Sequence, residues 1–464
     1  NIYGSPPTIA EIAVAIEAEK FPHQYLYKFS WSPLFPAEVL ASWRQVLDVI
    51  EIRFGVASKE RILSEQGIKV GSVGSPISID ALASKSKEEL LRTAIEWRAS
   101  ISDWPSSVYS LAQAIMEVMK GDLSVWTEDP VVIVTELVHP IYIYEYIQML
   151  TEQLDSFPWE PKTFIKLADL VLDEPWAVKN IEGSERFDYK DPWKMARSAA
   201  IQLIVKVAGK DADLSEGLDD FIAQLIRRST TLESEYLPSK ADPYERTLSH
   251  DSGIALQALI AVAANDFRTK GSVRPTIIEN FTIMLDLSGP IAEEIRSLIA
   301  AQLPLFNAIA HDWLEDKFVV IFTNENDGGL SQSVIDVAMK WGSVYERLLR
   351  ERKAQVWDAV KREVPNSLSK VLIAMLRKLD GYSVTWVIDR LKMLNKLSSA
   401  GETLGRLISN SPDLDAEMLT ITADFWRKAL ASGTNESLTG FGWFAGAKQL
   451  PDAELAEFWR ATLS

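Results

Sequence analysis

Apolar positions recur along this chain mainly at i, i+3, i+4 and i+7, the spacing that lines one face of an α-helix. Ile9, Ile12, Ala13 and Ile16 share a face behind Thr8 and Glu11, whose spacing is that of a capping box. Ser86 and Glu89 repeat the device ahead of Leu90, Leu91, Ala94 and Ile95. In "KMARSAAIQLIVKVAG", Met195, Ala196, Ala199, Ala200, Leu203, Ile204 and Val207 form one stripe, and Gly209 falls where a left-handed C-cap is expected. "DSGIALQALIAVAAND" is apolar nearly all round, which predicts a helix enclosed by neighbours on several sides. Val384, Val387, Ile388, Leu391 and Leu394 give another stripe, and Ser411 before Pro412 reads as an N-cap followed by an N1 proline.

Three runs have the composition of strands: "VVIV" at 131–134, "IYIYEY" at 141–146 and "FVVIF" at 318–322. Each is short and lacks a hairpin partner, so helix is the expectation for all three. The pattern predicts roughly eighteen to twenty helices joined by short Gly, Pro and Asp turns. No strict period repeats, so the sequence supports no tetratricopeptide or ankyrin signature. The predicted fold class is all-α, an α-solenoid of degenerate HEAT/armadillo/TPR-like antiparallel helix pairs. Its expected organisation is an N-terminal half, 1–190, and a C-terminal half, 191–464, or one continuous superhelix with a softer division near 190–250. Two polar stretches, 172–193 and 227–253, read as loops projecting from that scaffold.

Bulk composition narrows the function classes. Apolar residues make up 47% of the 464, enough for a large core, and no uninterrupted apolar run reaches membrane-spanning length. The formal net charge of −17 argues against general affinity for nucleic acid or anionic membranes. There is no cysteine, which removes disulfides, thiolate zinc sites, Fe–S clusters and thiol catalysis, and fits the cytoplasm. A start at Asn1 instead of methionine fits a piece of something longer or a processed chain.

Candidate chemistry is sparse. The four histidines, His23, His139, His250 and His311, have no i, i+4 histidine partner, and no Walker A, G-x-S-x-G or kinase pattern occurs. "GFGWFAGAKQLPD" (440–452) has glycines spaced as in a phosphate loop. A helix precedes it instead of a strand, and the chain ends before the acid a dinucleotide needs, so it reads as close helix packing. No cofactor, metal or catalytic residue is therefore expected. Charge is uneven, however: from Arg347 to Lys396 twelve basic residues face five acidic ones. Arg347, Arg350, Arg352, Lys353, Arg377, Lys378 and Arg390 are the candidate partner-binding residues in that sector. Fifteen tryptophans, among them Trp313, Trp341, Trp357 and Trp386, are expected to fill wedges between helices, a few serving as exposed hot spots.

Four segments resemble a recurring architecture: 74–126, 248–268, 295–322 and 438–463, in that order. They look like the helical-repeat (sensor or scaffold) region of large bacterial STAND-type or related antiphage defence proteins. The resemblance implies a non-catalytic recognition scaffold with a protein partner, a phage protein in that setting, and any enzymatic activity outside these residues. Two other readings stay open. One is a nucleic-acid-binding solenoid using the 347–396 sector. The other is an all-helical enzyme assembled from residues such as His250, Asp251, His311 and Asp312.

Overall fold

The computed structural model describes residues 8, 37–54, 75–97, 108–173, 192–210, 212–214, 217–231, 242–247, 250–324, 328–410, 415–432, 456 and 460. His23, Glu11, Ser411, Pro412, most of the 172–193 stretch and the whole of 440–452 lie outside the described residues. Among the described residues the fold is all-α, with 23 helices and no strand; Thr323 and Leu330 form one isolated antiparallel bridge. The three strand-composition runs are helical, inside Pro130–Leu137, Pro140–Glu152 and His311–Ile321, apart from Phe322, which caps the last of these. The chain divides into two compact units, Asn1–Trp159 with Glu174–Ala200, and Glu160–Asp173 with Ile201–Ser464.

The first unit holds α1 (Ala37–Phe54), α2 (Ile79–Ala83), α3 (Lys87–Glu96), α4 (Val108–Lys120), α5 (Leu123–Trp126), α6 (Pro130–Leu137) and α7 (Pro140–Glu152). The capping box at α3 forms as expected: Glu89 N–H donates to Ser86 Oγ at 3.3 Å, and Ser86 N–H donates to Glu89 Oε2 at 2.9 Å. α6 and α7 start on prolines at N1, whose fixed φ favours a helical first turn and whose missing N–H costs nothing there. That start, with His139 Nδ1 accepting from Ile141 N–H at 3.2 Å, makes a helix of "IYIYEY" in spite of its β-favouring residues. Ile141, Tyr142, Ile143, Tyr146 and Ile147 are all buried, and the Tyr146 hydroxyl donates to the Trp126 carbonyl at 2.6 Å.

The boundary between units falls within α9 (Pro192–Ala208). The second unit contains α8 (Pro161–Leu172), α10 (Leu218–Thr231), α11 (Pro243–Thr247), α12 (Asp251–Lys270), α13 (Pro275–Leu285), α14 (Pro290–Ala301), α15 (Leu303–Ile309) and α16 (His311–Ile321). It continues with α17 (Gln332–Lys340), α18 (Glu346–Glu351), α19 (Lys353–Lys361), α20 (Ser367–Leu376), α21 (Val384–Met393), α22 (Leu397–Ser409) and α23 (Ala416–Ser432). Main packing partners are near neighbours in chain order: α10 with α12, α14 with α17, α17 with α19, α20 with α22, α21 with α23. α12 is enclosed as its all-round apolar pattern predicts, Ile254, Ala255, Leu256, Ala258, Leu259, Val262 and Ala263 being buried. Phe281, Phe306 and Trp313 pack ring to ring with centroids 5.0–5.5 Å apart, one of the aromatic wedges expected from tryptophan usage.

Helix C-termini in this unit are closed in two ways that local sequence hides. One is a side chain from a later segment of the chain. Asn265 Nδ2 and Arg268 Nη2 donate to the Ala208 carbonyl at 3.1 and 2.8 Å, and Tyr382 hydroxyl to the Leu349 carbonyl at 2.7 Å. The α9 terminus thus needs no left-handed glycine. Gly209 is not among the positive-φ glycines, which corrects the expected C-cap; Gly271, after α12, does take that conformation at φ 75°. The other device is a left-handed residue that is not glycine. Glu363, Lys378 and Asn395, at φ 61°, 52° and 53°, end α19, α20 and α21, each followed by an N–H that reaches back to the carbonyl of Ala359, Ala374 or Leu391.

Candidate recognition cleft

α19 ends, turns at Asn366 (φ 63°) and restarts as α20, while α22 runs alongside; an open cleft of about 700 Å³ lies between them. One wall is the α19–α20 junction, with Glu363, Asn366, Ser367 and Ser369. The other is a single stripe of α22, Ser399, Glu402, Thr403, Arg406, Leu407 and Asn410, spaced by three and four residues. Val360, Val364, Leu368 and Leu407 supply its apolar lining.

The polar groups of the cleft are set by their own helices. Ser367 Oγ donates to the Val364 carbonyl at 2.6 Å, Ser369 Oγ to the Asn366 carbonyl at 2.8 Å and Thr403 Oγ1 to the Ser399 carbonyl at 2.7 Å. Their single protons are committed, so the lone pairs are what these hydroxyls offer to anything in the cleft. Charge is balanced across it: Lys396 Nζ lies 2.6 Å from Glu363 Oε1, and Arg406 Nη2 lies 2.6 Å from Glu402 Oε1. The Lys396 ammonium holds the Glu363 carboxyl below its ordinary range. Beneath the junction, Asn366 Nδ2 donates to the Lys340 carbonyl at 2.8 Å, and buried Lys370 donates to the carbonyls of Ala338 and Met339 at 2.9 and 2.5 Å. Two side chains thus close the end of α17, and the cleft's first wall is fixed to it. Burial alone pushes the Lys370 amine down to about 8.

The seven candidate cations flank this cleft in sequence and serve mainly as ties within a helix or between helices two or three apart in chain order. Arg347 joins Glu315 and Glu351, each at 2.7 Å, with its guanidinium 4.1 Å above Phe318; Arg352 lies 5.8 Å from the same ring. Lys353 sits 3.6 Å over Trp386 and donates to the Gly381 carbonyl, and Arg390 lies 5.3 Å from the Trp386 ring. Arg377 is 3.7 Å from Glu346, Lys378 pairs with Glu417, and Arg350 is exposed. The structure therefore gathers four of them around two rings. Lys370, one of the twelve basic residues between 347 and 396, is buried; the burial arises from long-range packing that no local pattern signals.

The residues of the enzymatic reading separate. His250 Nδ1 lies 2.9 Å from Glu294 Oε2, a carboxylate only 1% exposed that also takes Arg246 Nε at 2.9 Å. His311, by contrast, faces Asn307 Oδ1 at 3.3 Å. Among the described residues no group of three His, Asp or Glu side chains is placed to hold a metal ion, and no helix is long and apolar enough to cross a membrane. In comparison with known proteins, no family model matches the chain, and no curated protein or solved structure matches it significantly.

Proposed function

We propose that this chain is a non-catalytic protein-recognition scaffold and that the cleft between the α19–α20 junction and α22 receives a polypeptide segment of its partner. The cleft carries the reading: it combines hydroxyl and carboxylate acceptors, paired cations and an apolar lining, which suits peptide amides and mixed side chains better than a single ion. The chain-order packing of the second unit supports its assignment to a degenerate array of antiparallel helix pairs, an α-solenoid in which each pair needs only its neighbours. In the setting implied by the four resembling segments, the partner is a phage protein. Its binding favours one arrangement of the array, and an effector outside these residues responds to that population shift.

Replacing exposed Ser399 with Trp fills the cleft with little demand on the core of α22. A partner recovered from phage-infected bacterial lysate by the wild type is expected to be lost from Ser399→Trp and from Glu402→Lys, with thermal stability unchanged. Recovery of the same partner at the same yield by both variants would remove the cleft from the account.

A further inference from the structure

α11 is held unlike any neighbouring helix. Of its five residues only Thr247 is buried, so hydrophobic burial contributes little to its attachment. Its anchors are polar or aromatic at every point. Asp242, just ahead of it, lies 2.5 Å from Lys340 Nζ and accepts from Trp341 Nε1 at 3.1 Å; Glu245 lies 3.0 Å from the same ammonium. The Tyr244 ring stacks on Trp341 with centroids 5.2 Å apart. On the other side Arg246 reaches Glu294 at 2.9 Å and Glu293 at 3.6 Å, and Thr247 Oγ1, which donates to the Pro243 carbonyl at 2.7 Å, lies 3.1 Å from the Glu294 carbonyl. Beneath lies α12, whose Gly253 permits the approach: a Cβ there would stand 2.0 Å from the Thr247 carbonyl oxygen.

The helices under α11 also have contacts of their own. α14 and α17 pack directly on each other, and Ile295, Leu298, Ile299, Val334, Val337 and Ala338 are buried between or beneath them. We propose that α11 is a charge-latched strap, which opens from α12, α14 and α17 as a unit while those helices stay folded. Opening uncovers a seat of acidic and aromatic character, formed by Glu293, Glu294, Lys340 and Trp341. Local opening of this kind is drawn from segments with few buried apolar contacts, and salt weakens partly exposed charge pairs.

Hydrogen exchange read by mass spectrometry on the full chain tests this, using peptides that cover 242–247 and separate peptides for α14 and α17. In Lys340→Met, and in wild type at 1 M NaCl, residues 242–247 are expected to exchange about tenfold faster than in wild type at low salt. Exchange in α14 and α17 is expected not to change. Gly253→Ala should give the same pattern by a steric route, because alanine would otherwise favour the helix. Lys361→Met, which removes an exposed pair with Asp358 at 2.8 Å, should leave 242–247 at the wild-type rate. Equal protection of 242–247 in all these samples would overturn the strap. So would acceleration of α14 and α17 in step with it, since the segment would then belong to one cooperative block.

Discussion

Lys378 ends α20 in the left-handed region at φ 52°, where a side chain costs roughly 1–2 kcal/mol that glycine does not. Its ion pair with Glu417 joins two exposed groups and returns little of that cost. Lys378→Gly is therefore expected to stabilise the second unit by about 1 kcal/mol, read as a rise in the thermal unfolding midpoint. Lys370 makes the opposite case. Its amine is held near 8 in the folded chain against 10.5 ordinarily, so between those values the unfolded chain binds a proton that the folded chain does not. Stability then rises with pH across that window, by about 2 kcal/mol from pH 8 to 10, in wild type and not in Lys370→Met. A flat difference between the two proteins over that range would show that burial does not govern this amine. Neither residue carries a sequence signal: Lys378 closes its own helix where glycine is the usual residue, and the burial of Lys370 is set by α17, far from it in the chain.

Helices themselves were legible because their starts and faces are local properties. Prolines at N1 open helices at 130, 140, 161, 275 and 290, and the Ser86–Glu89 pair caps α3 as expected. Helix ends were less legible. The terminus of α9 is closed by Asn265 and Arg268, and that of α17 by Asn366 and Lys370, partners that lie many residues away. The α11 latch belongs to the same class of long-range device. Burial pushes the Asp242 carboxyl up, but the Lys340 ammonium, the Glu245 amide and the Trp341 indole together hold it below the ordinary value. A depressed carboxyl stabilises the folded chain above its unfolded pKa near 4 and ceases to do so as pH falls through the folded value. The stability gap between wild type and Asp242→Asn is thus expected to be constant at about 1–2 kcal/mol from pH 5 to 8 and to close below pH 4. A gap that persists in acid would mean the asparagine is damaging packing instead of charge.

Across the whole chain, the net charge of −17 and the local surplus of cations between 347 and 396 pull in opposite directions. Ring stacking and acidic partners on α16, α18 and α23 engage most of the seven candidate cations, which favours a role in fastening helices over one in gripping phosphates. The expected result in solution is no measurable DNA or RNA binding at physiological salt. Strongly salt-dependent binding that is abolished by charge reversal at Arg350 and Arg377 would reinstate the nucleic-acid reading. All-helical architecture was legible from periodicity alone; the cleft was not, since its two walls come from segments whose polar residues look like ordinary solvent faces until α20 and α22 are brought together. The most direct test of the recognition account is site-specific photo-crosslinking in phage-infected cells, with the reactive group at Ser399 or Asn410 and, as control, at exposed Ile79 in the first unit. The account predicts one partner protein joined from both cleft positions and not from Ile79, whereas adducts indifferent to position, or none from the cleft, would contradict it.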